Sequence, residues 1–365
     1  MDRYRLIEKV SSNGDTYREA EDLMAIPNVF LNLIVYIFPS KDAAESGVNL
    51  GATGFISAVE SDDGNTYLYA VTNAHVLHTL RKKQATQPAL RFNTREGGTT
   101  TIEAPLDKWH EHPDGDDLAI YPLEPSAAWK FSYISEDSFI REDMLHGQLS
   151  MAEVPGTAVV REEAPGHKWV EMTEVGVGDE TITIGRFLKH SGTEHNLAAA
   201  RYGHISMLPY EPVKQSKAAR GFEFEQYSYL VETHSVNGFS GSPVLMQTPL
   251  RYREKTATSN GTRYKEQVFL LGIDWGHFDF NGEIIDPQSR EIKVPCGMMC
   301  VVPAWKLIEL LHVEELEVQR KELDKEIKKK SKDTATADSE ISKEEFEAIM
   351  QKVTRKVQPK KKGNI

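Results

Sequence analysis

From residue 28 onward the chain is a succession of short runs rich in β-branched and aromatic residues, separated by clusters of Gly, Asn, Asp and Pro. The first set of runs is 28–38, 50–60, 66–73, 88–93, 99–104 and 117–123. A second set follows at 155–161, 168–175, 180–188, 200–208, 227–233, 242–246, 266–275 and 298–302. Strands do not alternate with helices, which excludes a wound α/β sheet and predicts an all-β barrel or sandwich. Two sets of strands joined through a polar stretch at 124–150 predict two of them. A chain of 365 residues is long enough to bury a core in each.

The ends of the chain differ in character. Residues 1–26 are polar and read as a short helical or irregular lead-in. After Pro303, Leu307, Leu310, Leu311, Leu316, Leu323 and Ile327 form an apolar stripe between charges, the pattern of a helix. Residues 331–340 read as a polar linker, and Ser342 with Glu345 as the capping box of a second helix. That helix would share Phe346, Ile349, Met350 and Val353 on one face. The segment 352–362 then carries six basic residues and no acid.

Charge and cysteine content narrow the partners. Residues 1–312 carry a formal −14 and residues 313–365 carry +2, so the body lacks the basic face that nucleic acid requires. Cys296 and Cys300 are four apart and form neither a disulfide framework nor a zinc or redox motif. The apolar run 29–38 is too short for a membrane span, and the charged start lacks a secretory signal, so a cytoplasmic location is expected.

The stretch "VNGFSGSPVLM" at 236–246 sets Ser240 beside glycine and other small residues. Such a turn leaves a hydroxyl uncrowded and aims backbone N–H groups at one point, as acyl transfer requires. A plain Gly/Ser/Pro turn between strands is the alternative from this stretch alone. A serine nucleophile needs a base, and the base needs an orienting carboxylate. "AVTNAHVL" places His75 just after an apolar strand, and "HPDGDDLAIYPL" places Asp117 at the start of another.

Taken in chain order, these motifs resemble the chymotrypsin-like (trypsin-fold) serine peptidases, nearest their bacterial HtrA-like and glutamyl-endopeptidase-like branch. "GATGFISA", "TNAHV", "DDLAIYPL", "NGFSGSPVL", "LLGIDWGH" and "GMMCVVPAWKLIELL" carry the resemblance over residues 28–312. It implies two six-stranded antiparallel β-barrels, the first at 28–125 and the second at 150–303, with a closing helix at 304–312. Residues 1–27 would be an N-terminal extension and 313–365 a charged helical tail. It implies a nucleophile in Ser240, a base in His75, an orienting acid in Asp117 and an oxyanion hole from the N–H groups of Gly238 and Ser240. Asp274, Trp275 and Gly276 would receive the substrate main chain as an added strand, with His234 at the floor of the specificity pocket. No cofactor and no metal are implied. The expected partners are a protein or peptide substrate and, through the tail, a regulatory protein or a second copy.

Four positions depart from the family pattern. Phe239 stands where zymogen-activated members carry an Asp, so activation by a new N-terminus is closed to this chain. Ser242 replaces a glycine, and His234 is neither the acid that selects Lys or Arg nor an apolar residue. Asp274 replaces a serine and would set a second carboxylate near Asp117, raising one of the two pKa values. A catalytically silent binding or scaffold protein on the same fold is the alternative function.

Overall fold

The computed structural model describes residues 4–10, 16–22, 26, 28–48, 51–85, 87–145, 168–171, 175–187, 190, 192–217, 222–233, 239–256, 259–283 and 291–338. Two compact units are present: Met1–Glu60 with Thr66–His312, and Ser61–Asn65 with Val313–Ile365. The first begins with a hairpin, β1 (Tyr4–Val10) against β2 (Thr16–Asp22), in place of the expected helical or irregular lead-in. An Asn-Gly pair between two runs is a hairpin signal, and here it outweighs the polar composition.

The first sheet follows. Its elements are α1 (Asn28–Leu31), β3 (Ile34–Phe38), α2 (Lys41–Ser46), β4 (Ala52–Glu60) and β5 (Thr66–Thr72). Then come α3 (Ala74–Lys82), β6 (Ala89–Asn93), β7 (Thr99–Glu103), β8 (His110–Glu111), β9 (Ala119–Leu123) and β10 (Ile134–Ser135). The expected strand 28–38 therefore opens with a turn of helix, started at Asn28, a residue type that favours helix starts. The strand order is β7-β6-β3-β4-β5-β9-β8, with β10 pairing β4 in parallel.

This sheet is a half-barrel, which corrects the expectation of two closed barrels. Among the described residues its β7 edge meets β9 through side chains and forms no ladder. The Tyr121 hydroxyl donates to the Glu103 carbonyl at 3.4 Å, and the Trp109 ring lies 5.4 Å from that of Tyr121. The core beneath is built from alternate strand positions, such as Val35 with Ile37 and Leu90 with Phe92, and Phe92 stacks on Trp129 at 4.0 Å.

The second sheet contains β11 (Lys168–Glu171), β12 (Glu180–Arg186), β13 (Ala198–Met207), β16 (Tyr229–Thr233), β17 (Pro243–Thr256), β18 (Ser259–Glu283) and β19 (Glu291–Pro303). Between β13 and β16 lies a separate hairpin of β14 (Pro212–Lys217) and β15 (Phe222–Tyr227). The order β17-β12-β13-β16-β19-β18 returns to β17 through the β17–β18 ladder, so six strands close a barrel. Its core includes Val231, Val244, Met246, Leu271, Met299 and Val301. Cys300 is buried. α4 (Ala304–Leu311) ends this unit and buries Leu307, Leu310 and Leu311. The expected strand at 155–161 lies outside the described residues.

In the second unit, α5 (Glu314–Asp338) is ordered along the 61–65 turn. Asp324 accepts from the Asn65 amide at 2.6 Å and the Ser61 hydroxyl at 3.2 Å, and Lys328 pairs with Asp63 at 2.6 Å. The expected linker at 331–340 is helical through Asp338, because nothing in "SKDTATAD" breaks a helix with Pro or Gly. The second helix and the basic segment lie outside the described residues. No described helix is long and apolar enough to cross a membrane.

The two sheets meet over a seam of buried polar groups. The Arg186 backbone N–H donates to the Thr53 hydroxyl at 3.0 Å, and the Thr72 hydroxyl donates to the Thr53 carbonyl at 2.9 Å. Arg91, 0 % exposed, donates to Asn196 Oδ1 at 2.8 Å and to the carbonyls of Ala44 and Gly192 at 3.0 and 3.1 Å. Arg91 and Arg186 both lie over the Tyr36 and Phe38 rings. Burial lowers both guanidinium pKa values and raises that of Tyr36. Replacing Thr53 with Val keeps its shape but strands the Arg186 N–H, and should cost about 1–3 kcal/mol. A lower urea midpoint for Thr53→Val, with Thr53→Ser near wild type, checks this.

Candidate active site

Asn73 ends β5 and leads into α3, which delivers His75 in its first turn. The Asn73 side-chain amide donates to the Asp117 carbonyl at 2.8 Å, so the helix start is tied to the start of the neighbouring strand. The His75 backbone N–H donates to Asp117 Oδ1 at 2.8 Å, and His75 Nδ1 lies 2.6 Å from Oδ2. Asp117 is 0 % exposed, whereas the His75 side chain keeps 18 %. A buried carboxylate that engages both the ring and the backbone of one histidine fixes the ring and selects the Nδ1–H tautomer. Nε2 is then the basic nitrogen.

Ser240 arrives from the second sheet on the turn before β17. It is half-buried, and with His75 it lines a cavity of about 190 Å³. Ile37, Ala52, Val76 and Leu80 give that cavity apolar walls, and Lys83 brings a cationic group. No hydrogen bond joins His75 to Ser240 among the described residues, so their proton-transfer contact is open. Gly238 and His234 lie outside the described residues.

The glycine after the serine has two physical reasons to be there. Gly241 has φ +87°, and a Cβ on it would run into the Thr53 carbonyl and the Thr72 hydroxyl. The turn carrying Ser240 thus presses directly on the first sheet. On its other side Gly185 of β12 leaves room for the Phe239 ring and the Ser242 hydroxyl. Phe239 is buried, with the Arg201 guanidinium 4.8 Å from its ring centre. Among the described residues the buried Ser242 Oγ has no hydrogen-bond partner.

Asp274, Trp275 and Gly276, expected to receive the substrate main chain, lie in β18 beside the nucleophile turn. The Asp274 N–H donates to the Ser242 carbonyl at 2.9 Å, and its carbonyl accepts from the Gly241 N–H at 2.8 Å. On the other edge, Asp274 and Gly276 pair with β19. Asp274 Oδ1 accepts the Gly276 N–H at 3.0 Å. The Asp274 N–H and carbonyl therefore each make a bond within the chain. Trp275 is buried and its Nε1 donates to Ser228 Oγ at 3.1 Å, which makes it an anchor within the barrel.

Behind Asp117 lies a group that the motifs do not reveal. Gln226 Oε1 accepts the Asp117 N–H at 3.1 Å, and Gln226 Nε2 donates to Asp116 Oδ1 at 3.1 Å. Its only sequence signal is alternation: Gln226 and Ser228 are buried between exposed Glu225 and Tyr227. Nearby, His112, Asp116 and Glu309 bring possible metal-ligand atoms together. The Lys306 ammonium lies 2.9 Å from Glu309 and 3.6 Å from Asp116, so a lysine serves as the cation of this cluster. Burial works against that ammonium, but the Glu309 hydrogen bond and Asp116 outweigh it and hold its pKa above the usual lysine value.

Gly241→Ala should destabilise the chain by more than the ~1–2 kcal/mol of left-handed strain, because the clash with Thr53 adds to it. Denaturant titration against wild type measures the loss.

No family model matches the sequence, and no curated protein matches it. Solved structures do show likeness. Deg5 is 13% identical with a TM-score of 0.38, over 77% of this chain and 88% of that one. The Rv3671c protease in its inactive form is 15% identical with a TM-score of 0.33, over 77% and 88%. The active form of Rv3671c from M. tuberculosis is 14% identical with a TM-score of 0.34, over 77% and 80%. At such values the role of each residue rests on the geometry of this chain alone.

Proposed function

We propose that the chain is a serine endopeptidase that cleaves peptide bonds through an acyl-enzyme on Ser240. The observation that carries this reading is His75: its backbone and ring both bind buried Asp117, at 2.8 and 2.6 Å, while the residue shares a cavity with Ser240. In this reading Asp117 keeps the proton on His75 Nδ1 and offsets the charge of the imidazolium as it forms. His75 Nε2 takes the Ser240 proton as Oγ attacks the scissile carbonyl, then returns it to the leaving amine. The N–H groups of Gly238 and Ser240 would meet the oxyanion, a contribution of ~3 kcal/mol per donor. The cavity is bounded by the helix that carries the proton donor, which suits it to the leaving-group side of the substrate. Its walls favour an apolar residue there.

The second reading is a trypsin-fold binding protein without catalysis, favoured by the open His75–Ser240 contact. A serine-reactive fluorophosphonate separates the two. Wild type should label and hydrolyse peptides, and Ser240→Ala should do neither. His75→Ala should lose about a thousandfold or more, since the three groups act as a unit. Labelling that persists in folded Ser240→Ala would refute the assignment.

The chain from residue 313 is read as an association element for a regulatory protein or a second copy. Deletion of 331–365 should leave cleavage of a small reporter peptide within a few-fold of full length, while size-exclusion chromatography shows a change in assembly. Loss of reporter cleavage in a folded truncation would refute this division of labour.

A further inference from the structure

We infer that Gln226 is a positioning residue for the catalytic carboxylate, setting the direction of Asp117 from the β14–β15 hairpin. The inference rests on the reading that His75, Asp117 and Ser240 act together. Gln226 is 1 % exposed, and its one amide makes two bonds of opposite sense to consecutive residues. Its oxygen takes the Asp117 N–H at 3.1 Å and its nitrogen gives to Asp116 Oδ1 at 3.1 Å. Only an amide in one orientation satisfies both, because the backbone group is a donor and the carboxylate an acceptor.

The second observation concerns what holds Gln226. The Ser228 hydroxyl donates to the Gln226 carbonyl at 3.3 Å, and Trp275 Nε1 donates in turn to that hydroxyl. A buried indole in the second barrel therefore fixes the strand end from which the amide projects. On the far side Asp116 Oδ2 lies 3.6 Å from the Lys306 ammonium of α4 and 3.4 Å from His112 Nδ1.

The third observation is the balance around Asp117 itself. Its carbonyl is held by Asn73, from the start of the helix bearing His75, and its N–H by Gln226. With the N–H and the carbonyl both fixed, the Cα–Cβ bond points at His75. Loss of the Gln226 end leaves a buried N–H without its partner and lets the carboxylate swing from Nδ1. The effect falls on the orientation of the base and leaves the substrate-contacting walls untouched.

Two variants test this. Gln226→Leu removes both bonds at nearly constant volume, and Gln226→Glu keeps an acceptor for Asp117 while facing Asp116 with like charge. The readouts are kcat and KM for a reporter peptide, and the low-field proton NMR resonance of the hydrogen between His75 Nδ1 and Asp117. In Gln226→Leu, kcat should fall by about tenfold or more with KM within about twofold, and the resonance should shift or broaden. Gln226→Glu should show smaller changes in the same direction. If Gln226→Leu does not fold, Gln226→Glu decides by the same two readouts. An unchanged resonance with unchanged kcat in either folded variant overturns the inference. The resonance is read without turnover. A wild type that shows it but neither labels nor cleaves would count against the peptidase reading alone, and its movement in Gln226→Leu would still support positioning.

Discussion

A carboxylate with no water contact must be met by donors on all sides, and Asp117 imposes that demand on the structure around it. An ionised group buried without partners costs several kcal/mol or more, so the chain around it is arranged as a supply of N–H groups. His75 gives its backbone and ring, and the peptide on either side of Asp117 is engaged by Asn73 and Gln226. These partners, donors in His75 and Asn73 and an acceptor in Gln226, come from residues far apart in the sequence, on α3 and its start and on the β14–β15 hairpin. Burial of one acid thereby requires the helix after β5, the start of β9 and the end of β15 to converge.

The same demand explains why the seam between the sheets is polar. Thr53, Arg91, Asn196 and Gln226 are all buried there, each bonded across the seam. Apolar contact holds elements together without fixing their register, whereas a donor and an acceptor tolerate little displacement. A reaction that needs Ser240 and His75 from different sheets depends on register, and the bonded seam provides it.

What could be read from the sequence was whatever local backbone chemistry dictates. Ser240, His75 and Asp117 stood out because each lies in a turn or strand end with its own small-residue or polar signature. Gly241 was legible for the same reason, since a left-handed turn needs glycine. The half-barrel was not legible, because whether the β7 edge finds a ladder partner depends on how distant strands approach and not on local pattern. The long arms of β17 and β18 were read short, since runs such as "RYREKT" look like solvated loop until a partner strand pairs them. Gln226 and Arg91 were passed over because a polar residue inside a strand looks the same on the page whether it faces solvent or a buried acid. For Asp274 and Trp275 a motif gives identity but not which of their groups are bonded within the chain.

Asp117 and Arg186 are both buried ionisable groups, and they are met in different ways. The Asp117 carboxylate is engaged by the His75 N–H and ring, whereas Arg186, 2 % exposed, has aromatic rings over its guanidinium and, among the described residues, no hydrogen-bond partner for Nε or Nη1. A cation over a ring face recovers ~0.5–2 kcal/mol, which falls short of a lost ion pair. Its backbone N–H nevertheless holds Thr53, and the Thr53 carbonyl is what Gly241 presses upon beside Ser240. Natural chains accept local stability deficits where geometry for function is set, and make them up elsewhere. Through Thr53 the Arg186 residue lies one contact from the nucleophile turn, while the Asp117 carboxylate is held by both the backbone and the ring of His75. That asymmetry assigns rigidity to the acid–base pair and leaves the energetic cost to the seam that carries the serine.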